Sequence, residues 1–251
     1  MQSLNHRKKI TLFCTTLALA WFGASPVQAK NITYKVDKTA YEGYIVNKGK
    51  DAPLVILVHD WDGLTGYEIK RAHMLGDLGY SVLAIDLFGK GVRPTELKDK
   101  QEHTGQLYKD RTKMRALLSK ALDVAKKNNL NLQKAVAIGY CFGGAAVLEM
   151  ARAGMDLDAF VTFHGGLSTP EGQDYAQTKG KVMVFHGSAD SMISMDDFAN
   201  LTKALETNKV PHEMTTYSQT PHAFTVFDSP SYTQEADKHS WTRFLALLKT
   251  L

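Results

Sequence analysis

The stretch AVAIGYCFGGAA at Ala135–Ala146 decides the fold that this sequence predicts. Its four small apolar residues are typical of a buried parallel strand, and the alanine-rich part after the glycines predicts a helix. Glycines two residues before and after Cys141 form a G-x-C-x-G pattern, the thiol counterpart of the G-x-S-x-G nucleophile elbow. A nucleophile on so sharp a turn needs neighbours without side chains, and the N-terminus of the following helix favours a thiolate. The alternative is an inert cysteine in a glycine-rich turn.

Residues 1–29 have the pattern of a signal peptide. A basic cluster near the start precedes an apolar segment, Ile10–Gly23, that is too short for a comfortable membrane span. Ser25–Ala29 then resembles a cleavage site with small residues at the required positions. We therefore expect cleavage after Ala29, export of residues 30–251 to the periplasm or the medium, and no membrane association afterwards. An uncleaved N-terminal anchor is the alternative.

Removal of this leader changes the net charge and the number of cysteines of the chain. The whole chain has a formal net charge of +4, but the leader holds three basic and no acidic residues, so residues 30–251 carry +1. No cluster of basic and aromatic residues then remains to suggest nucleic acid as a partner. One of the two cysteines, Cys14, leaves with the leader. The other, Cys141, is unpaired, which in an exported protein indicates a reactive thiol or intermolecular pairing.

Strands and helices alternate along residues 30–251 and predict a single α/β domain with one doubly wound, mostly parallel sheet. Alternating polar and apolar residues at Ile32–Asp37 and Tyr41–Val46 predict an antiparallel pair at its start. A polar segment, Val92–Thr112, is expected to cover the mouth of an active site before a helix that ends near Lys127. Further strands are predicted at 54–59, 81–88, 135–138, 158–164, 181–190 including its turn, and 213–217, and further helices at 66–78, 195–207 and 234–248.

Three residues at predicted strand ends could perform nucleophilic catalysis. The carboxyl ends of strands carry the working residues in open α/β sheets, and this rule selects Cys141, Asp190 and His222. His222 can take the thiol proton and return it to a leaving group, while Asp190 orients the imidazole and stabilises its cation. Taken singly, His222 could be a surface histidine and Asp190 a turn cap, but the order nucleophile, acid, histidine is that of α/β-hydrolase triads. The backbone N–H groups of Phe142 and Trp61 are the expected oxyanion-hole donors.

The sequence offers no pattern for a metal or cofactor. No H-E-x-x-H motif or Cys/His cluster is present, so no metal is expected, and no G-x-G-x-x-G opens the first helix, so no dinucleotide is expected. Three histidines, His59, His164 and His186, end strands near the expected site and could line it. The histidines assigned to solvent or to helix faces are His73, His103, His212 and His239.

With these residues in place, the chain resembles the dienelactone hydrolase (carboxymethylenebutenolidase) family. The segments that carry the resemblance are Val58–Leu64, Gly79–Gly91, Gly139–Gly144 and Pro221–Phe224. The G-Y-C-F-G-G elbow is the most specific of them, because most α/β-hydrolases have serine there. The resemblance implies an α/β-hydrolase fold, a Cys141–His222–Asp190 triad and hydrolysis of a small-molecule ester or lactone through a thioester. Separately, we expect a monomer that needs no cofactor.

Two positions depart from the family pattern. The family often has Glu where Asp60 stands, and that carboxylate resembles a resting partner of the thiol, so Asp60 is the candidate thiol partner here. Members that cleave dienelactone hold the substrate carboxylate with arginines, one of them four residues after the catalytic histidine, where this chain has Val226. Arg93 is the nearest alternative in the sequence. Without a fixed guanidinium a bidentate carboxylate clamp is lost, so we do not expect dienelactone as the native substrate.

The sequence thus predicts an exported carboxylic ester or lactone hydrolase with Cys141 as nucleophile. One alternative is a binding module with an α/β-hydrolase fold and a vestigial site. The other is a thiol redox protein, since an exposed thiol at a helix N-terminus is oxidisable, although the mature chain has no second cysteine to resolve a sulfenic acid.

Overall fold

The computed structural model describes residues 28–251, so the predicted signal peptide lies outside the described residues apart from Gln28 and Ala29. The strands of this part are β1 (Gln28–Val36), β2 (Thr39–Asn47), β3 (Pro53–Val58), β4 (Ser81–Ile85), β5 (Asn131–Tyr140), β6 (Ala159–Phe163), β7 (Lys181–Gly187) and β8 (His212–Tyr217). The helices are α1 (Gly66–Asp77), α2 (Leu97–Lys109), α3 (Arg111–Lys127), α4 (Phe142–Arg152), α5 (Met195–Thr207) and α6 (Gln234–Leu248). Among them, none has both the length and the hydropathy to cross a membrane.

The strands form one eight-stranded sheet in the order β1-β2-β4-β3-β5-β6-β7-β8. β2 runs antiparallel to β1 and to β4, while every other neighbouring pair is parallel. The predicted α/β class, with a mostly parallel sheet and an opening antiparallel pair, is confirmed. Because parallel strands are joined by crossover helices, the carboxyl ends of β3, β5, β6, β7 and β8 all lie at one edge of the sheet.

The core lies on both faces of this sheet, and β3 at its centre shows why. Alternate side chains of a strand point to opposite faces. Leu54, Ile56 and Val58 join the hydrophobic cluster on one face, whereas Val55 and Leu57 join the cluster on the other, and all five are fully buried. Complete burial of such a side chain is worth about 1.5–3 kcal/mol. The continuous apolar run therefore fixes β3 as a central strand.

No helix was predicted within the polar segment Val92–Thr112, and it is here that the structure adds an element. Most of it folds as α2, and α3 begins directly after Asp110, whose side chain accepts a hydrogen bond from the Lys113 N–H at 2.8 Å. Only Thr104 and Leu107 of α2 are buried. Because α2 has few large apolar residues, namely Leu97, Leu107 and Tyr108 among its 13, its sequence resembles a polar segment more than an amphipathic helix.

Two glycines allow α4 to start against the ends of β3 and β5. A Cβ atom built on Gly139 would overlap the carbonyl oxygen of Gly143, and one built on Gly143 would overlap the carbonyl oxygens of Val58 and His59. Neither glycine has a positive φ angle, so it is the missing side chain and not backbone freedom that this turn requires. The two outer glycines of the motif are therefore needed for close backbone approach.

We predict that Gly139→Ala destabilises the protein by about 3 kcal/mol, because the overlapping atoms are backbone atoms that cannot move aside cheaply. The matched control is Gly105→Ala in α2, where nothing lies within 4 Å of the added Cβ. That variant should gain roughly 0.5–1 kcal/mol from helix propensity. Urea unfolding of both variants measures the difference, and similar stabilities for the two would contradict this account of the turn.

Candidate active site

Cys141 lies at the turn between β5 and α4 and is half-buried. Its φ angle is +50°, a backbone region that costs a non-glycine residue about 1–3 kcal/mol. The turn is held by two hydrogen bonds: the Cys141 N–H donates to the Phe163 carbonyl, and the Gly144 N–H donates to the Cys141 carbonyl, both at 3.1 Å. The strained conformation is therefore fixed by the neighbouring strand β6 and by the first turn of α4.

The structure brings Cys141, His222 and Asp190 into one hydrogen-bonded line. Nε2 of His222 lies 3.1 Å from Sγ of Cys141, and Nδ1 of the same ring lies 2.7 Å from Oδ2 of Asp190. The other Asp190 oxygen, Oδ1, accepts hydrogen bonds from the N–H groups of Met192 at 2.8 Å and Ile193 at 2.9 Å. The three side chains predicted from strand ends thus meet after β5, β7 and β8, with the carboxylate fixed from both sides.

This arrangement favours a charged imidazole. Burial opposes the imidazolium, but the hydrogen bonds to Asp190 and Cys141 outweigh it and raise the pKa of His222 to about 10. Burial likewise opposes the charged form of Asp190, yet its hydrogen bond with His222 leads the interactions that hold its pKa below the ordinary value. An imidazolium between a carboxylate and a sulfur can stabilise a thiolate, which is the nucleophilic form of cysteine.

Asp60, the candidate thiol partner, lies in the loop after β3 and does not hydrogen-bond to Cys141 among the described residues. Its Oδ1 accepts a hydrogen bond from the Asp62 N–H at 2.8 Å. Burial, partly offset by that hydrogen bond, raises the pKa of Asp60 to about 6. The carboxyl group is therefore close to half-protonated near that pH, and its role as thiol partner stays a prediction.

A second buried carboxyl group, Glu68 of α1, lies near Asp60 and was not foreseen. Glu68 is fully buried, and its Oε2 accepts hydrogen bonds from the N–H and the hydroxyl of Thr65 at 2.8 and 2.9 Å. Its other oxygen has no hydrogen-bond partner among the described residues. Burial first, and then the charge of Asp60, raise the pKa of Glu68 to about 8. The sequence signal was present but ambiguous, because Thr65 and Glu68 form a capping box, which is ordinarily solvent-exposed.

The three histidines at strand ends have different surroundings. His59 is fully buried; its Nδ1 lies 2.6 Å from the Asp60 carbonyl oxygen, and its Nε2 accepts the Leu87 N–H at 3.0 Å. Burial lowers the pKa of His59 to about 4, so it links the ends of β3 and β4 as a neutral ring. His186 lies 3.0 Å from the Ile193 carbonyl and supports the loop after Asp190. His164 alone contacts the line of three residues, edge-on to His222 with ring centroids 5.2 Å apart.

The two candidate oxyanion-hole residues follow strands β5 and β3. Phe142 is the first residue of α4, where backbone N–H groups have no acceptor inside the helix. Trp61 lies in the loop after β3, and the Lys100 ammonium group lies 5.3 Å from the centroid of its indole ring. Convergence of their two N–H groups on one oxygen stays a prediction.

A cavity of about 290 Å³ lies beside α4. It is lined by Tyr108, Arg111, Ala145, Arg152, Gly166, Ser168 and Ile193. Two of these residues tie it to the site: Tyr108 packs edge-on to Phe142 with centroids 5.4 Å apart, and the Ile193 N–H donates to Asp190. Tyr108 was missed because it lies in α2, within the polar segment for which no helix was predicted. The cavity thus adjoins residues that contact the site, although Cys141 is not among the residues that line it.

Neither of the two positions considered for a carboxylate clamp, 226 and 93, provides an unpaired cation. Val226 follows His222 in the turn after β8. Arg93 is engaged elsewhere: its Nη2 lies 2.7 Å from Oε1 of Glu42, and its Nε donates to the Leu64 carbonyl. Two arginines line the cavity, Arg111 and Arg152, and both share the carboxylate of Glu149 with Arg115.

No group of histidine, cysteine and acidic residues suited to a metal ion was found among residues 28–251.

Comparisons with known proteins agree with these observations. The model of the dienelactone hydrolase family matches residues 41–251. A putative carboxymethylenebutenolidase of Escherichia coli O157:H7 is 23% identical over 241 residues, which cover 92% of this chain and 87% of that protein. The solved structure named m3DLH is 29% identical, with a TM-score of 0.83 over 91% of this chain and 99% of its own. A dienelactone hydrolase-like promiscuous phosphotriesterase from metagenomic libraries is 29% identical, with a TM-score of 0.82 over 90% and 98% of the two chains.

We predict that the stability of the protein falls at high pH because Glu68 must then ionise inside the core. Its folded pKa of about 8 exceeds its ordinary value of 4.5, so the stabilising effect of the proton is complete below pH 4.5 and is lost as pH rises through 8. Glu68→Gln cannot ionise. The free energy of unfolding of the variant minus that of the wild type should therefore increase by about 1–3 kcal/mol from pH 4.5 to pH 9.

Urea unfolding at several pH values measures this difference. Glu235→Gln, at an exposed glutamate in α6, is the matched control. A constant difference between Glu68→Gln and the wild type from pH 4.5 to pH 9 would show that Glu68 is not the titrating group.

Proposed function

Since the chain belongs to the dienelactone hydrolase family, we propose that it hydrolyses a carboxylic ester or lactone with Cys141 as the nucleophile. The observation that carries the proposal is the line of hydrogen bonds from Asp190 through His222 to Cys141, with donor–acceptor distances of 2.7 and 3.1 Å. A nucleophile within reach of a base, and a base oriented by a third group, is the geometry that covalent catalysis by a thiol requires.

The proposed reaction has two stages. The Cys141 thiolate attacks the carbonyl carbon of the substrate and forms a C–S bond. The tetrahedral intermediate then collapses with cleavage of the C–O bond, and the leaving alkoxide takes a proton from the His222 imidazolium. In the second stage His222, now neutral, takes a proton from water, and the hydroxide attacks the thioester. Collapse releases the carboxylic acid and regenerates the thiolate with its imidazolium partner.

Stabilisation of the two tetrahedral intermediates is assigned to backbone donors. We assign it to the N–H groups of Phe142 and Trp61, which would bind the negative oxygen as it forms. Removal of one donor of this kind typically costs about 10²–10³-fold in kcat. The Phe142 donor is supported by its place at the start of α4, where the helix dipole adds to the hydrogen bond.

Asp60 is proposed as the resting partner of the thiol. Its pKa of about 6 lets it exchange a proton near neutral pH, and the charge of His222 is among those that act on it. In this role the Asp60 carboxyl group would hydrogen-bond to the Cys141 thiol in the resting enzyme, which requires a movement of the Asp60 side chain.

We also propose that the mature protein is an exported monomer of residues 30–251. The basic and apolar pattern of the leader and the Ser25–Ala29 site support cleavage after Ala29. β1 would then begin at Lys30 and keep its pairing with β2 from Lys30↔Ile45 onwards. The N-terminal sequence of the protein purified from the producing cells tests the cleavage site directly.

We predict that Cys141→Ala lowers kcat/KM for p-nitrophenyl acetate by about 10³-fold or more, since the bond-forming atom is gone. Far-ultraviolet circular dichroism should show an unchanged fold, because the Cys141 side chain is only half-buried. In wild-type protein mixed with substrate and quenched in acid, mass spectrometry should detect an acyl group on the peptide that contains Cys141. Equal rates for variant and wild type would contradict the proposal. Ester cleavage by the wild type alone does not support it, since promiscuous ester cleavage is common, so the two rates must be compared.

The same experiments separate this function from its two rivals. A binding module with a vestigial site would form no acyl-thioester. A thiol redox protein would turn over with peroxide and would tolerate loss of His222. Cys141 is the single cysteine of residues 28–251, so a sulfenic acid would have no resolving cysteine in the same chain.

We predict that uncharged esters are better substrates than anionic esters of the same length. The position of the family arginine holds Val226, and Arg93 is paired with Glu42, so no clamp is ready to receive a carboxylate. Rates for p-nitrophenyl butyrate and mono-p-nitrophenyl succinate should differ by about tenfold or more in favour of the butyrate ester. The opposite preference would contradict the prediction and would make Arg111, which lines the cavity, the cation to test next.

A further inference from the structure

We propose that Arg71 is a positioning residue for His222, acting through the carbonyl and hydroxyl groups of Thr225. The effect of Arg71 on catalysis rests on the proposed function. Arg71 lies on α1, far along the chain from the histidine, and its side chain is almost completely buried. Nothing in the proposed reaction uses its charge. A buried arginine needs a specific reason to be present, because burial of an unpaired cation is costly.

The guanidinium of Arg71 joins the loop that carries His222 to helix α6. Its Nη2 donates to the Thr225 carbonyl at 2.8 Å and to Oδ1 of Asp237 at 2.6 Å. The other oxygen of Asp237, Oδ2, accepts from the Tyr232 hydroxyl at 3.2 Å. Both partners of the ion pair are buried, with 1% and 8% of their side chains exposed. Nη2 therefore contacts two segments at once, while Nη1 has no hydrogen-bond partner among residues 28–251.

A second path from Arg71 reaches the ring beside His222. Nε of Arg71 donates to the Tyr67 hydroxyl at 3.3 Å, and this hydroxyl lies 2.7 Å from Oγ1 of Thr225. The same Oγ1 lies 2.8 Å from Nε2 of His164. His164 in turn packs edge-on against His222 at 5.2 Å. The Thr225 side chain is thus the link between the arginine and the histidine pair.

The loop needs such support because it has little regular structure of its own. Residues 218–233 connect β8 to α6 without a helix or strand. Ala223, next to His222, has a φ angle of +60°, which is strained for alanine. The Val226 N–H donates to the Ala223 carbonyl at 3.0 Å, and this turn brings Thr225 towards Arg71. A strained turn persists only where its surroundings hold it, and here those surroundings are α1 and α6.

The charges around His222 are consistent with this role. The groups that face its ring are Asp190, Cys141, His164 and, through its charge, Asp60. His164 is fully buried, and burial, together with the charge of His222, holds its pKa well below the ordinary value. A neutral His164 leaves one imidazolium in the site. The hydrogen bond from Thr225 keeps that neutral ring in place, so the contact with His222 is defined.

Two variants test the proposal without leaving a charge buried and unpaired. Arg71→Gln/Asp237→Asn removes both charges of the ion pair. Thr225→Val removes Oγ1 and keeps the carbonyl group and the size of the side chain. Thr162→Val is the matched control, because Thr162 is equally buried on β6 and its hydroxyl has no hydrogen-bond partner among residues 28–251. Thermal unfolding monitors whether each variant is folded.

The decisive readout needs no substrate. Iodoacetamide alkylates the thiolate of Cys141, with loss of iodide. The rate at pH 6.5 divided by the rate at pH 9 is therefore high when His222 stabilises the thiolate and low when it does not. We expect this ratio to fall by about fivefold in Thr225→Val and about tenfold in the double variant. With an activated ester, kcat should fall by about 10–100-fold while KM stays within about twofold. Thr162→Val should resemble the wild type in every measurement.

An unchanged alkylation ratio in folded Thr225→Val protein would overturn the proposal, even if that variant were less stable or slower. If the double variant fails to fold, the two threonine variants decide the question. If the wild type cleaves no ester or lactone, the proposed function fails, whereas the alkylation ratios still decide whether Arg71 positions His222.

Discussion

The close approach of the backbone at the Cys141 turn is the constraint on which the rest of the site depends. Helix α4 begins so near the end of β3 that Gly139 and Gly143 have no room for a Cβ atom. This contact forces Cys141 into a positive φ angle and places its sulfur at the start of a helix. The strain is offset by the buried strands on either side, which bury far more apolar surface than the turn costs. A strained turn at the end of a central strand is therefore kept in place, whereas the same turn in a loop would relax.

The distribution of charge follows from the same burial. His222 and Asp190 form one ion pair with four specific hydrogen bonds, and the neighbouring ionisable groups are pushed towards neutrality. Burial lowers the pKa of His59 and raises that of Glu68, while Asp60 stays between the two states. Among these groups, charge is therefore concentrated on His222 and Asp190. Perturbed pKa values of this kind are common at functional sites.

The sequence was sufficient for the sheet and for the three residues that meet at its edge, because both follow from local patterns. Continuous apolar runs identified β3 and β5, and Cys141 and Asp190 follow buried strands within three residues. His222 lies five residues after β8, and the order nucleophile, acid, histidine identified it. The sequence was insufficient for α2, since this helix is so polar that its sequence resembles a solvent-exposed segment. Glu68 and Arg71 were also missed: both lie on an amphipathic helix where charged residues are usually exposed, and only tertiary packing covers them.

The contrast between Cys141 and His222 explains why local motifs cannot define the whole site. Cys141 and its glycines form a contiguous segment, and the sheet holds it on both sides, so the motif nearly determines its geometry. His222 lies on residues 218–233, whose position depends on α1 and α6. The contact between Arg71 and Thr225 joins residues 154 positions apart. A sequence can therefore keep every residue of the short histidine motif and still misplace the imidazole, because what fixes that ring is a buried cation in another part of the chain.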